Sequence, residues 1–230
     1  MSNAITFTLS TRTSSFTNQI TELDGEANGF PLLTVSRYTP LAGETVTSVI
    51  VTIAANLASS GTVTNNNATT STFRVTSLAD QYDFNPLAGA PAALTAFGTF
   101  SPILSGTAIG TQQLFSSVPV GGTRNFSLQT VSGSASQTFT DVADIAGFLG
   151  SGSYSYAPIT SIGRVISGGG GNIAANIATF AGGTLTVEYQ GTSVPVPFDF
   201  NPAIGIVTLG IYFGTSKLYK RYLINKSGKN

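Results

Sequence analysis

Ten carboxylates, set in a chain with no histidine and no cysteine, bound the chemistry this sequence can attempt. Two pairs stand close enough in sequence to act together. Asp80 and Asp83 lie in Leu-Ala-Asp-Gln-Tyr-Asp-Phe-Asn-Pro, and Asp141 and Asp144 open the run Asp-Val-Ala-Asp-Ile-Ala-Gly-Phe-Leu-Gly. A calcium site wants six to eight oxygens, most of them from one acid-rich loop. Neither pair has a third acid nearby, and Leu23-Asp24-Gly25-Glu26, which could add a carboxylate, also has the form of a plain Asp-Gly turn. A glycosidase pair needs two carboxylates facing across a cleft, usually with aromatic platforms. No motif marks such a pair, and tryptophan is absent.

Other motifs have simple structural readings. Tyr154 and Tyr156 alternate with serines and could form a sugar-binding strip, but such a pair is more often core and rim residues of one strand. Gly168 to Gly171 has the glycines of a phosphate-cradling loop without the following Lys-Ser/Thr, so it reads as a turn. Lack of His and Cys removes the usual ligands for zinc, copper and haem iron, and with them Ser-His-Asp and Cys-His catalysis. The expectation is a chain with no catalytic site, no metal and no cofactor.

The elements that must position these residues are strands. Ile5, Phe7 and Leu9 alternate with Thr6, Thr8 and Ser10, and Val49, Val51 and Ile53 with Ile50, Thr52 and Ala54. Phe73 and Val75 flank Arg74, Phe126 and Leu128 flank Ser127, and Leu185, Val187 and Tyr189 alternate with Thr184, Thr186 and Glu188. Period-two alternation of this kind predicts half-buried antiparallel strands. Asn65-Asn66-Asn67, Gly121-Gly122, Gly168 to Gly171 and Gly182-Gly183 mark the turns between them. One short helix is expected over 141–150, with Asp141 as cap and Gly150 as stop. The predicted fold is all-β: an antiparallel sandwich of jelly-roll or immunoglobulin-like kind over residues 1–190, followed by a C-terminal apolar tail over 191–230.

Composition then says what kind of surface covers this core. Of the 230 residues 41% are hydrophobic and only 9% charged, so Ser, Thr, Asn, Gln and Gly must coat the outside. The formal net charge of zero removes the self-repulsion that keeps proteins apart. It conceals an uneven distribution. Five arginines stand against ten acids up to Ala203, whereas the five bases from Lys217 onward meet no acid. A nucleic-acid binder would need a basic face spread through the fold, which this chain lacks. Met1-Ser2-Asn3-Ala4 leads at once into strand-like sequence, so the expected form is a mature chain whose leader has been removed, or one whose first four residues are an expression remnant.

The tail has two readings. Seventeen uncharged residues, Phe200 to Ser216, precede the basic tip formed by Lys217, Lys220 and Arg221. As a helix they would span about 25 Å, slightly less than a hydrocarbon core of about 30 Å, and basic residues follow as they do at the cytoplasmic end of a membrane anchor. Membrane contact through the tail is one expectation. The other is a strand: Val207, Leu209, Ile211 and Phe213 alternate with Thr208, Gly210, Tyr212 and Gly214, while Val194, Val196, Phe198 and Phe200 alternate with Pro195, Pro197, Asp199 and Asn201. Such a strand could pair with the sheet edge of a neighbouring copy, and head-to-tail pairing that does not close gives a fibre.

Two stretches resemble known families. Asp141-Val-Ala-Asp-Ile-Ala-Gly-Phe-Leu-Gly-Ser-Gly, with Gly170-Gly-Asn-Ile and Ala181-Gly-Gly-Thr-Leu-Thr-Val-Glu-Tyr189, is similar to the second half of the choice-of-anchor E domain, and Phe30 to Ile53 to its opening. Val196-Pro197-Phe198-Asp199-Phe200, with the apolar run and basic end after it, resembles the cyanobacterial PFE-CTERM sorting tail, in which Glu usually stands where this chain has Asp199. The resemblance implies export, sorting to the cell surface and a cyanobacterial source, and implies no enzymatic activity. The expectation is an extracellular structural protein of the cell surface or matrix whose copies associate into fibres. The alternative is a membrane-anchored surface module for adhesion or glycan binding, with the cell envelope or a polysaccharide as partner.

Overall fold

The computed structural model describes residues 6–21, 31–97 and 103–193. Over these residues the chain forms β1 (Phe7–Ile20), β2 (Leu33–Ser36), β3 (Glu44–Asn65), β4 (Ser71–Pro86), α1 (Ala92–Phe97), β5 (Thr107–Ala108), β6 (Gln113–Val118), β7 (Thr123–Phe139), α2 (Val142–Phe148), β8 (Ser153–Gly168) and β9 (Ile173–Ser193). Sheet A has the order β1-β9-β3-β7, and sheet B the order β2-β8-β4-β5 with β6 also paired to β4. All of these pairings are antiparallel.

The pairing pattern identifies the winding. β1 pairs with β9 in sheet A, β2 with β8 in sheet B, β3 with β7 in A, and β4 with β5 and β6 in B. The chain is thus one long antiparallel ribbon, doubled back at β4–β6, that crosses alternately between two sheets. That is the jelly-roll form of the expected sandwich.

Strand alternation places the core as the sequence indicates. Val49, Val51, Ile53, Leu185, Val187 and Tyr189 face inward and are almost wholly buried, while Thr52, Thr184, Thr186 and Glu188 face outward. Two clusters fill the space between the sheets. The larger includes Tyr82, Phe84, Phe139, Phe148, Tyr154, Tyr156 and Tyr189, and the smaller includes Val63, Phe73, Val75, Phe115, Val118 and Phe126. Gly183 lies where a Cβ would come within 2.7 Å of Phe84 and 2.8 Å of Phe16, so the two rings occupy the room its missing side chain leaves.

Two expectations need correction. Phe126 is buried but Leu128 is 65% exposed, although both were expected on one face. β3 pairs Ser59 with Gln129 and Gly61 with Phe126, so β7 carries one extra residue at this point and its alternation reverses. Secondly, there are two short helices among the described residues instead of one. α2 matches the helix expected over 141–150, but α1 follows Pro91, whose carbonyl accepts from Leu94 N–H at 2.8 Å. The signal for α1 was Pro91 before two alanines and a leucine, a helix start with good helix formers behind it.

Five tyrosines lie in this core. Tyr82 donates to the Gly182 carbonyl at 2.8 Å and Tyr189 to Phe148 O at 3.3 Å, whereas the Tyr156 hydroxyl has no hydrogen-bond partner. Burial pushes the Tyr82, Tyr154, Tyr156 and Tyr189 phenols up from their ordinary value, and Tyr38 reaches about 12 through burial together with its hydrogen bond to the Glu44 carboxylate. Because these folded-state values lie above the unfolded value of 10.0, the stability they represent is complete below pH 10 and is lost as pH rises beyond it. In an alkaline titration, five of the eight tyrosines should fail to ionise until the fold is lost, with phenolate absorbance and loss of near-ultraviolet dichroism rising together above pH 10. Ionisation of all eight with the dichroism intact would contradict this core.

Candidate interaction surface

The carboxylate pairs do not converge. Asp80 occupies a β-bulge between Ala79 and Gln81, and its carboxylate lies over Gly163, in the space a Cβ there would fill. Asp83 is buried three residues further along β4, opposite Ile159 of β8. Its Oδ2 accepts from Gln81 Nε2, and its Oδ1 has no hydrogen-bond partner. At α2, Asp141 holds the N-cap position but its side chain makes no capping hydrogen bond. The helix is closed instead by its carbonyl, which accepts from Ile145 N–H at 2.9 Å, and Asp144 places an acid in the first turn. Among the described residues no three His, Cys, Asp or Glu side chains come together as a metal site would require.

Tyr154 and Tyr156 are 2% and 0% exposed, so the aromatic strip is part of the core and is not presented to a ligand. The four glycines 168–171 all have φ between 74° and 92°, a left-handed run that side chains rarely adopt. They turn β8 into β9 and contact asparagines. Asn67 Nδ2 donates to Gly169 O, Asn172 N–H to Asn67 Oδ1 at 3.2 Å, and Asn172 Nδ2 to Asn66 O at 2.8 Å.

That cluster reveals residues whose role the sequence hid. Asn65-Asn66-Asn67 reads as a turn signal, yet Asn65 is wholly buried. Its amide donates to the carbonyls of Thr69 at 2.9 Å, Val118 at 2.8 Å and Pro119 at 3.3 Å, and its Oδ1 accepts from the backbone and side chain of Asn67. Asn65 thus ties the β3–β4 turn to the β6–β7 turn, and Asn67 joins them to the β8–β9 turn at one end of the sandwich. At the other end Arg37 donates to Gly147 O and, at 2.8 Å, to Gly89 O. Tyr38 and the Leu41 N–H both donate to Glu44 Oε2. Arg37, Glu44, Asp80 and Asp83 are thus engaged with the protein itself.

The outer face of sheet A is neutral and polar over most of its area. Register places Thr13, Thr186, Thr52 and Ser136 in one row across the four strands, and Ser15, Thr184, Ala54 and Ser134 in the next. Asn56 and Ser132 continue it on β3 and β7, beside Gly182 of β9. Hydroxyls bond across the strands, Thr52 to Ser136 and Thr64 to Thr123, each at 2.9 Å. Among the described residues of this face Glu188, in the next row with Thr11, Ile50 and Thr138, is the one charged side chain. It accepts from Gln190 Nε2 at 2.9 Å and Thr8 Oγ1 at 2.8 Å, and these bonds hold its carboxyl below the usual carboxylate value. A shallow depression lined by Ala54, Asn56, Ser132, Ser134 and Thr184 marks the middle of this face, where small side chains meet.

The remaining residues singled out in the sequence lie outside the described residues. These are Val196, Pro197, Phe198, Asp199 and Phe200 of the sorting motif, Val207, Leu209, Ile211 and Phe213 of the assembly strand or anchor, Lys217, Lys220 and Arg221 of the basic tip, and the turn Leu23-Asp24-Gly25-Glu26. β9 itself runs through Ser193, three residues past the boundary expected at Gln190, and Gly191, Thr192 and Ser193 pair with Val46, Thr45 and Glu44 of β3. No helix among the described residues is long and apolar enough to cross a membrane. Replacing Asn65 with Ala should cost about 3 kcal/mol, since several carbonyls at a buried junction would lose their donor. Urea denaturation measures it, and a loss under about 0.5 kcal/mol, the range of ordinary surface substitutions, would contradict the junction.

No family model and no curated protein matches this chain. Among solved structures it is similar to a chain of the T13 IBDV viral particle, at 12% identity over 83% of this chain and 41% of that one, with a TM-score of 0.19. A second is infectious bursal disease virus, Gx strain, at 10% identity over 94% of this chain and 53% of that one, TM-score 0.13. A third is Merkel cell polyomavirus VP1 in complex with disialyllactose, at 8% identity over 83% and 98%, TM-score 0.18. The chain spans about half the length, or less, of the first two. TM-scores this low carry no argument about this protein.

Proposed function

We propose that this chain is a non-catalytic structural module of the cell surface or extracellular matrix, and that its copies associate. The observation that carries the reading is the outer face of sheet A: hydroxyl, amide and small apolar side chains in register over four strands, with Glu188 as its one charge. A surface of this kind meets another copy without charge repulsion and without desolvating ionised groups. In the same reading the C-terminal segment supplies the long-range connection. Val207, Leu209, Ile211 and Phe213 are donated as a strand to a neighbour, and because that contact is heterologous and does not close, it builds a fibre.

The second reading, an envelope-anchored module for adhesion, is favoured by the uncharged run ending in Lys217, Lys220 and Arg221, which has the charge order of a membrane anchor. Glycan binding within that reading loses its aromatic strip, because Tyr154 and Tyr156 are buried.

Negative-stain electron microscopy of the full chain beside a chain ended after Ser193 separates the two readings. Ending there keeps all of β9, whereas ending at Gln190 would remove its last pairs to β1 and β3. Fibres from the full chain and none from the shortened one are expected. Detergent-dependent aggregates from the full chain, with no ordered assembly, would instead support the anchored module.

A further inference from the structure

Among the described residues, one sheet edge stands open. β2 is an edge of only four residues, and β5 has two. β6 is short, is interrupted by a register shift against β4, and has Ser117 at a φ of 48°. β1 is long but blunted. It has two register shifts against β9, Asn18 at a φ of 56°, and Arg12 on the inward side of the edge. Its Ser14 hydroxyl also accepts from Thr34 N–H at 3.0 Å. Bulges and inward-pointing charges are the devices by which edges avoid pairing.

β7 carries none of these from Gln129 onward. Its register with β3 is unbroken from Gln129 to Phe139, and Thr130-Val-Ser-Gly-Ser-Ala-Ser-Gln-Thr138 contains no charge and no proline. On its other side these nine residues make no backbone hydrogen bond among the described residues. The edge N-terminal to them is closed, because Gln113 donates to Ser127 O at 2.9 Å and accepts from Ser127 N–H at 3.1 Å.

We propose that Thr130–Thr138 of β7 pairs antiparallel with the same segment of a second copy across a two-fold axis. This rests on the self-association proposed above and names where two copies meet. Three features make the segment self-complementary. Reversal about Ser134 sets Ser132 against Ser136 and Thr130 against Thr138, so hydroxyl faces hydroxyl, as Thr52 already does with Ser136 within the chain. On the inner face it sets Gly133, which lies against Ile103 and Leu104 of its own chain, against Ala135, and Val131 against Gln137, all half-buried positions. No charge opposes its own copy, because Arg124 lies beyond the paired segment. The result is sheet A continued into sheet A of the partner, a closed isologous contact distinct from the tail-mediated one.

The chain has no cysteine, which makes the test direct. Directly opposed residues of an antiparallel pair have Cα atoms about 4.5–5.5 Å apart, within the reach of a disulfide. In the full chain, Ser134→Cys should give a covalent dimer on mild oxidation, while Thr13→Cys on the outer face of β1 should not. Ser132→Lys with Ser134→Lys, both at exposed positions, should raise the dimer dissociation constant at least tenfold in sedimentation velocity, with the monomer's thermal midpoint unchanged. If the full chain assembles but Ser134→Cys does not cross-link, this pairing is wrong and the proposed function stands. If the full chain stays monomeric at every concentration, both are wrong.

Discussion

The described domain depends on the ladder between β3 and β9. These strands, 22 and 21 residues long, pair antiparallel from Glu44–Ser193 to Asn65–Ile173 with one register shift near Val46. They are the two central strands of sheet A and supply Val49, Val51, Ile53, Leu185, Val187 and Tyr189 to the core. Slipping either by one residue would turn that row outward and its threonines inward, so the buried face fixes the register. With those strands fixed, β1 and β7 can attach only on their outer sides, and the doubled ribbon is committed to its jelly-roll winding. A chain with no disulfide or metal ligand of the usual kind must take its stability from such burial.

Long regular elements were legible in the sequence because their alternation is imposed by a core on one side and water on the other. Val49 to Ile53 and Leu185 to Tyr189 show this directly. Leu128 was misassigned because a bulge adds one residue without any change in composition, and alternation cannot reveal where it changes phase. Asn65 was hidden for another reason. Three successive asparagines signal a turn, but whether the first is solvated or buried depends on carbonyls from Val118 and Pro119, more than fifty residues away in the chain. α1 was missed because a six-residue helix gives too short a pattern to stand out from the loop around it.

The interaction surface was legible only as composition. A charged fraction of 9% says that the exterior must be hydroxyl and amide, but does not say that the residues would gather in rows on one sheet. The rows exist because four long strands share one register, which places every second residue of each on the outer face. The acids, which drew attention in the sequence, are used locally: Asp80 over Gly163, Asp83 with Gln81, Glu44 with Tyr38 and Leu41, and Glu188 with Gln190 and Thr8. In the function proposed, faces and edges carry the contact, and backbone hydrogen bonding and neutral polar contact decide which partner fits.

Hydrogen exchange followed by mass spectrometry, on the full chain at low and high concentration, tests the account most directly. It predicts that β3 and β9 exchange slowest throughout, and that amides over Thr130–Thr138 exchange fastest among the long strands in dilute protein and become protected on assembly. β7 as protected as β3 in dilute monomer, or unchanged when the protein assembles, would contradict the claim that a buried central ladder presents an open edge to a second copy.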